Sequence, residues 1–222
     1  MVQALVVAPH PDDDVIGCGG SILHHIRSGH RVTAVYMTSG EAGSLDQPKE
    51  ELRRIREAEA GEAASLMGFD DLIFLRNADG YLSINPENVT SLTRLIRAKR
   101  PEIIYFPHAG EGCRDHRITH EICAEALKRA RGPWFQECPG EPWSVENVLC
   151  YEVWTPIAEI SYAEDISDCI ELKLKALRCH RSQLASIPYD EAVRGLNRYR
   201  GVMTGRGNHC ECFQVLNIGK VY

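Results

Sequence analysis

The stretch Ala4-Leu5-Val6-Val7-Ala8-Pro9-His10-Pro11-Asp12-Asp13-Asp14, with Gly17-Cys18-Gly19-Gly20-Ser21 behind it, decides how this chain is read. Its opening is a short apolar run of the kind that forms a buried strand. The residues that follow deliver one histidine and three consecutive carboxylates to the carboxyl end of that strand, where open α/β sheets build their sites. Adjacent aspartates repel one another unless a cation or a proton resolves the charge. An imidazole and a carboxylate offered together suit a borderline metal such as Zn²⁺, and a carboxylate left over can serve as a base. A solvated acidic loop is the plainer reading. Such a loop rarely sets His-Pro and Asp-Asp directly behind a core strand, so the pattern points to a metal site.

Working outward, apolar strand-like runs recur at Ala4 to Ala8, Val32 to Met37, Leu72 to Leu75, Ile103 to Phe106 and Val148 to Val153. Helical patterns separate them: Ser21 to Ser28 after a glycine turn, Glu50 to Met67 ending at Gly68, Pro86 to Lys99 between Asn85 and Pro101, and His116 to Arg131 before Gly132-Pro133. Strand alternating with helix predicts an α/β fold, a Rossmann-like doubly wound and mostly parallel sheet forming a single domain over residues 1–222. Gly132 to Trp143 reads as a long surface loop, a type that often acts as a lid or oligomer contact. Ala163 to Ser182 reads as a helix with an Ile166, Ile170, Leu174, Leu177 stripe, and Cys210 to Ile218 as a last strand at a sheet edge.

Bulk composition narrows the function. The chain has 222 residues, 44% hydrophobic, with a net charge of -6 and no basic block, which argues against nucleic acid or an anionic membrane as partner. No apolar run approaches the ~20 residues of a membrane span, and no leader pattern precedes the first strand, so a cytoplasmic protein is expected. Nine cysteines scattered through helices and strands suit reduced thiols better than a disulfide framework. His24-His25 diverge by about 100° on a helix, too far to chelate one metal together. His30, after Gly29, reads as solvated.

A second cluster follows Phe106: Pro107-His108-Ala109-Gly110-Glu111-Gly112-Cys113-Arg114-Asp115-His116, continuing to His120. It too falls at the carboxyl end of a strand and can face the first cluster. Together, His-Pro-Asp-Asp, then Gly-x-Gly-Gly, then Asp-His at a helix start resemble the LmbE-like, or PIG-L, zinc-dependent N-deacetylases. Weaker matches keep the family order: Arg56-x-x-Glu59 with Leu66-x-Gly68, Asp79-Gly80, His180-x-Ser182-Gln183 and Glu211-x-Phe213.

The resemblance implies that His10, Asp13 and His116 ligate zinc with water in the fourth position, the arrangement expected of a catalytic site. It implies Asp12 as the general base, and Arg56 and Asp79 as residues holding the substrate's polar groups. For Arg56 a surface ion pair with Glu59 is the bland alternative. Asp14 and His120 read as supporting residues, and His180 as a structural hydrogen-bonding residue near the site. The chain departs from the family where Cys113 stands in place of the first histidine of His-Pro-Asp-His. That histidine would polarise the carbonyl or protonate the amine, oriented by the aspartate matching Asp115. A thiol is a poor substitute. His108, His120 or His209 moves into the role, zinc alone polarises the carbonyl, or activity is reduced.

The reading that results is a hydrolase removing acetyl from an amino sugar or glycosylated small molecule, with zinc as cofactor and a small-molecule partner, as a monomer or a homo-oligomer. Two alternatives stay beside it: a Mg²⁺-dependent phosphatase using Asp12 and Asp14, to which His10 would add nothing, and a metal-binding family member without turnover, favoured only by Cys113. A dinucleotide site is disfavoured because a pyrophosphate would meet aspartates rather than bare amides.

Overall fold

Alternation within the first strand sets the layers. In β1 (Gln3–Ala8), Ala4 and Val6 join one hydrophobic core and Leu5 and Val7 the other. Such a strand must lie inside a sheet covered on both faces. In the computed structural model, which describes residues 2–217, it does. The elements follow in the order α1 (Asp13–Arg27), β2 (Arg31–Thr38), α2 (Lys49–Met67), β3 (Asp71–Asn77), α3 (Pro86–Lys99), β4 (Ile103–Pro107) and α4 (Arg114–Ala130). Then come β5 (Asn147–Tyr151), β6 (Tyr162–Asp165), α5 (Ile170–Leu177), α6 (Arg181–Leu184), α7 (Tyr189–Thr204) and β7 (Cys210–Asn217). The seven-stranded sheet runs β3-β2-β1-β4-β5-β7-β6. Strands β1 to β5 are parallel, and β7 pairs antiparallel with both β5 and β6.

The chain steps outward from β1 to β2 and β3, then returns to lay β4 on the other side of β1. The loops leaving β1 and β4 therefore open side by side at the topological switch point. Helices α1, α5 and α7 with the end of α2 cover the Val6 face, and α3 and α4 the Leu5 face. Local signals act as expected at α3, where the Asn85 side chain accepts the Asn88 N–H, and at α2, which ends on Gly68 at φ 98.

The expected glycine turn is instead part of a helix. α1 starts at Asp13 and kinks at Cys18 (φ -143, ψ 21). A Cβ on Gly17 would stand 2.2 Å from the Tyr151 ring, and one on Gly20 2.3 Å from Ile166. The glycines permit close packing, and tertiary contact overrides their poor helix propensity. The kink frees the amides of Gly20 and Ser21, and both donate to the Glu211 carboxylate from β7, at 2.7 and 2.8 Å. The Glu211 carboxylate also takes the Ser21 hydroxyl and an ion pair from Lys173 at 2.7 Å, with both charged side chains fully buried.

Three further expectations change in the C-terminal third. Ala163 to Ser182 is not one helix: Tyr162–Asp165 is strand β6, and the Asp165 carboxylate accepts the Ser167 N–H in a turn that stops it. The last strand is not at the edge, since β6 lies outside β7; Ile218 falls outside the described residues. Helix α7 goes unread because its buried face is Val193, Asn197, Arg200 and Gly201, mostly polar. Gly132 to Trp143 holds no helix or strand, as expected. No helix among the described residues is long and apolar enough to cross a membrane.

Removing one member of a buried ion pair strands the other, at ~3–5 kcal/mol. Glu211→Gln is therefore expected to lower stability by about 3 kcal/mol or more, leaving Lys173 without a counter-charge and the α1 kink poorly capped. Urea unfolding checks it; an unchanged midpoint would remove Glu211 from the folding argument.

Candidate metal centre and active site

The two sequence clusters meet at the switch point. Asp12 is the N-cap of α1 at φ 133, in a region that costs a non-glycine residue about 1–3 kcal/mol. Its carboxylate caps no helix amide. Instead Oδ2 lies 3.2 Å from Nη2 of Arg56. Arg56 is buried and donates to the carbonyls of Pro11 at 2.8 Å and Gly40 at 3.0 Å. It does not pair with Glu59, whose carboxylate accepts the Ser182 N–H and hydroxyl. The surface-pair reading of Arg56 therefore fails, because the side chain turns inward to Asp12.

Asp13 and Asp14 stand in the first turn of α1, where the helix dipole favours negative charge. Oδ2 of Asp13 is 3.1 Å from Nδ1 of His10 and 3.3 Å from Nε2 of His116, which α4 supplies from its first turn. Ligand atoms of His10, Asp13 and His116 lie within 4.8 Å of one another, and those of His10, Asp79 and Asp115 form a second such group. His10 Nε2 is 3.0 Å from Asp79 Oδ1 and 3.7 Å from Asp115 Oδ2. Asp115 Oδ2 also accepts the Gly80 N–H, and Asp14 accepts the Tyr36 hydroxyl, a supporting position as expected.

These residues fit a divalent cation. Oδ1 of Asp13 and both ring nitrogens of His116 are buried and find no hydrogen-bond partner among the described residues, which native interiors seldom tolerate. The charge balance asks for a cation too. Against the effect of burial, Asp115, Asp13 and Asp79 hold the His10 pKa well above the usual imidazole range, and Asp13 and Glu111 hold that of His116 up to about 10. Burial would likewise raise Asp13, but His116 and His10 keep it well below the usual carboxylate range. Asp12 differs: burial pushes it up to about 7, with Arg56 opposing and Asp13 adding. A carboxyl poised there suits general-base work at neutral pH.

The residues offered for the missing histidine turn elsewhere. His120 Nδ1 faces the Pro107 carbonyl at 2.9 Å, so His116 and His120 do not chelate together. His209 lies between α7 and β7, its N–H donating to the Ser167 hydroxyl in the β6–α5 turn. His108 faces the Thr155 carbonyl at 2.8 Å and Glu111 at 3.5 Å. Cys113 is the N-cap of α4. His180 is fully buried, yet neither ring nitrogen finds a partner; burial, with Arg56 nearby, lowers it to about 3. It is not the hydrogen-bonding residue that the sequence suggests.

Three participants escape the sequence reading. Glu111 accepts the Val153 N–H at 2.7 Å and lies 3.5 Å from Nδ1 of His116, the outer carboxylate that orients a ligating histidine. Its only sequence signal is its place in Gly110-Glu111-Gly112, five residues before His116. Trp154 lies 6.5 Å from the His116 ring and 4.8 Å from the Tyr189 ring, tilted to it by 46°, so that aromatic side chains flank the cluster.

Comparison with known proteins follows this geometry. The family model described as GlcNAc-PI de-N-acetylase, PIG-L, matches residues 5–127. Diacetylchitobiose deacetylase of Thermococcus kodakarensis is 31% identical over 215 residues, covering 91% of this chain and 79% of that protein. The 1D-myo-inositol 2-acetamido-2-deoxy-alpha-D-glucopyranoside deacetylase of Streptomyces avermitilis is 27% identical, over 72% of this chain and 65% of its own length. Among solved structures, N,N'-diacetylchitobiose deacetylase from Pyrococcus horikoshii superposes with a TM-score of 0.87 at 30% identity, over 96% of this chain and 83% of that one. The conserved protein TT1542 from Thermus thermophilus also gives 0.87, at 31% identity, over 100% and 97%. This chain belongs to the PIG-L family of N-deacetylases.

Proposed function

We propose that the chain is a zinc-dependent hydrolase that removes the N-acetyl group from a 2-acetamido-2-deoxyglucose unit of a small glycoside or oligosaccharide. The convergence of His10, Asp13 and His116 beside a carboxyl poised near neutrality carries this reading. Two relatives whose names specify 2-acetamido sugars support the substrate class. Nine free cysteines suit action in a reducing compartment such as the cytoplasm.

His10, Asp13 and His116 would hold the ion. Bound there, a divalent cation supplies Lewis acidity to the amide carbonyl and acidifies water. Asp12 accepts the proton of the water that attacks the carbonyl carbon. As the C–N bond breaks, the same carboxyl returns that proton to the amine, and acetate and the free amino sugar result. One group can serve both ends because burial raises it to about 7, where both protonation states are accessible at neutral pH. This removes the need for an imidazole at Cys113. Arg56 acts through Asp12, aiming its carboxylate. Asp79, with its side chain 10% exposed at the rim, meets a sugar hydroxyl. Asp115 steadies His10 and the Gly80 backbone, and Trp154 and Tyr189 offer an apolar wall to the ring.

A magnesium phosphatase built on Asp12 and Asp14 finds no support, because the Asp14 carboxylate is turned to Tyr36 and is buried within α1.

Three outcomes follow. Purified protein should carry about one Zn²⁺ at this centre, lost from it in His10→Ala and Asp13→Ala; unchanged affinity for this ion in both would overturn the ligand set. Asp12→Asn should lower kcat at least ~10²-fold on an N-acetylglucosaminide while the ion stays bound. Near wild-type turnover would move the base to another residue. Glu111→Gln should weaken zinc affinity ~10–100-fold, the usual effect of losing an outer carboxylate on a histidine ligand; competition with a chelator measures it, and an unchanged constant removes that role.

A further inference from the structure

A separate group of side chains converges where α1 ends against the corner between β6 and α5. His24 Nε2 lies 3.0 Å from Oδ1 of Asp168 and 3.6 Å from Sγ of Cys169, and ligand atoms of the three lie within 4.8 Å of one another. The other ring nitrogen, Nδ1, is 2.7 Å from Oε1 of Glu164. Glu164 is fixed in turn by the Tyr162 hydroxyl and by its place in β6, opposite Glu211. His24 stands eleven residues along α1 from Asp13, roughly 16 Å at 1.5 Å per residue.

We propose that His24, Asp168 and Cys169 form a second metal site, distinct from the active centre, for a thiophilic divalent cation of the zinc type. A tetrahedral zinc with ordinary bond lengths sets its nitrogen and oxygen ligands about 3.3 Å apart and its nitrogen and sulfur ligands about 3.6 Å apart. The observed 3.0 and 3.6 Å are close to those edges. Thiolate, imidazole and carboxylate select zinc over magnesium or calcium. The Glu164 carboxylate behind Nδ1 is the outer partner that fixes a ligating histidine and leaves Nε2 for the ion. Cys169 is buried, and its Sγ also lies 3.5 and 3.8 Å from the carbonyls of Ile166 and Gly20. It is the N-cap of α5, where the helix dipole favours a thiolate. Asp168 is 61% exposed; its Oδ2 pairs with Arg27 Nη1 at 2.5 Å, and its Oδ1 is the oxygen turned to His24.

Against the effect of burial, Asp168 and Glu164 raise the His24 pKa, and burial pushes the Cys169 thiol up to about 12. The ion displaces the Sγ proton as it enters, so its binding is pH-dependent. The bound ion ties the C-terminal half of α1, beyond its kink, to the β6–α5 corner.

The test reads sulfur directly. The active centre contains no cysteine ligand, so thiolate-to-Co²⁺ charge-transfer absorption in the near ultraviolet reports on this site alone, whatever the active centre binds. In metal-stripped Asp13→Ala protein, the band is expected to saturate at one Co²⁺ per chain. Cys169→Ser in that background should abolish it, and His24→Gln, a change at a half-buried surface histidine, should weaken Co²⁺ binding at least tenfold with circular dichroism unchanged. Zn²⁺ should raise the Tm of Asp13→Ala and leave Asp13→Ala/His24→Gln unmoved. The absence of a band at saturating Co²⁺, its survival in Cys169→Ser, or full affinity in His24→Gln would overturn the proposal.

Discussion

The structure is organised around buried negative charge that water cannot reach. Asp12, Asp13, Asp14, Glu111 and Asp115 are each 4% exposed or less and share one end of the sheet. Isolated carboxylates in such a place would take up protons or unfold the region. What surrounds them is the set of devices that holds them there: the α1 dipole over Asp13 and Asp14, the guanidinium of Arg56 on Asp12, the Tyr36 hydroxyl on Asp14, and the imidazoles of His10 and His116 on Asp13. A divalent cation completes the same set. The carboxylates differ as a result. Two imidazoles hold Asp13 anionic, whereas burial raises Asp12 to about 7, and that separation supports the proposed division between ligation and proton transfer.

Helix α1 carries that charge and is built to be positioned closely. Its glycines let the backbone approach Tyr151 and Ile166, and the kink at Cys18 opens amides that Glu211 closes from β7. The last strand, internal and antiparallel, thereby bears on the geometry of the first loop. The same helix ends at His24, so one element spans the active centre and the His24–Asp168–Cys169 cluster.

The absence of a histidine at position 113 changes how the proton is handled more than how the ion is held. Every other imidazole considered for that place is committed to a carbonyl or lies in another part of the fold. In the proposed mechanism the Asp12 carboxyl, strained in backbone and raised by burial, serves both halves of the reaction.

By itself the sequence determined what short-range chemistry can determine. The parallel α/β core was legible because β1, β2 and β4 are continuous apolar runs broken by ordinary helix stops, and the candidate cluster because His10, Asp12 and Asp13 fall within one four-residue stretch and His116 lies in the first turn of a helix. Only the tertiary structure decided the rest. Arg56 faces Asp12 and not Glu59, Glu111 backs His116, Trp154 packs on Tyr189 beside His116, and Gly17, Gly19 and Gly20 lie within α1 around a kink at Cys18. Each of these depends on a partner on another element, and a local window holds no record of that partner. α7 was invisible for the related reason that Asn197 and Arg200 are buried by hydrogen bonds and an ion pair formed across the fold, which leave no apolar period behind.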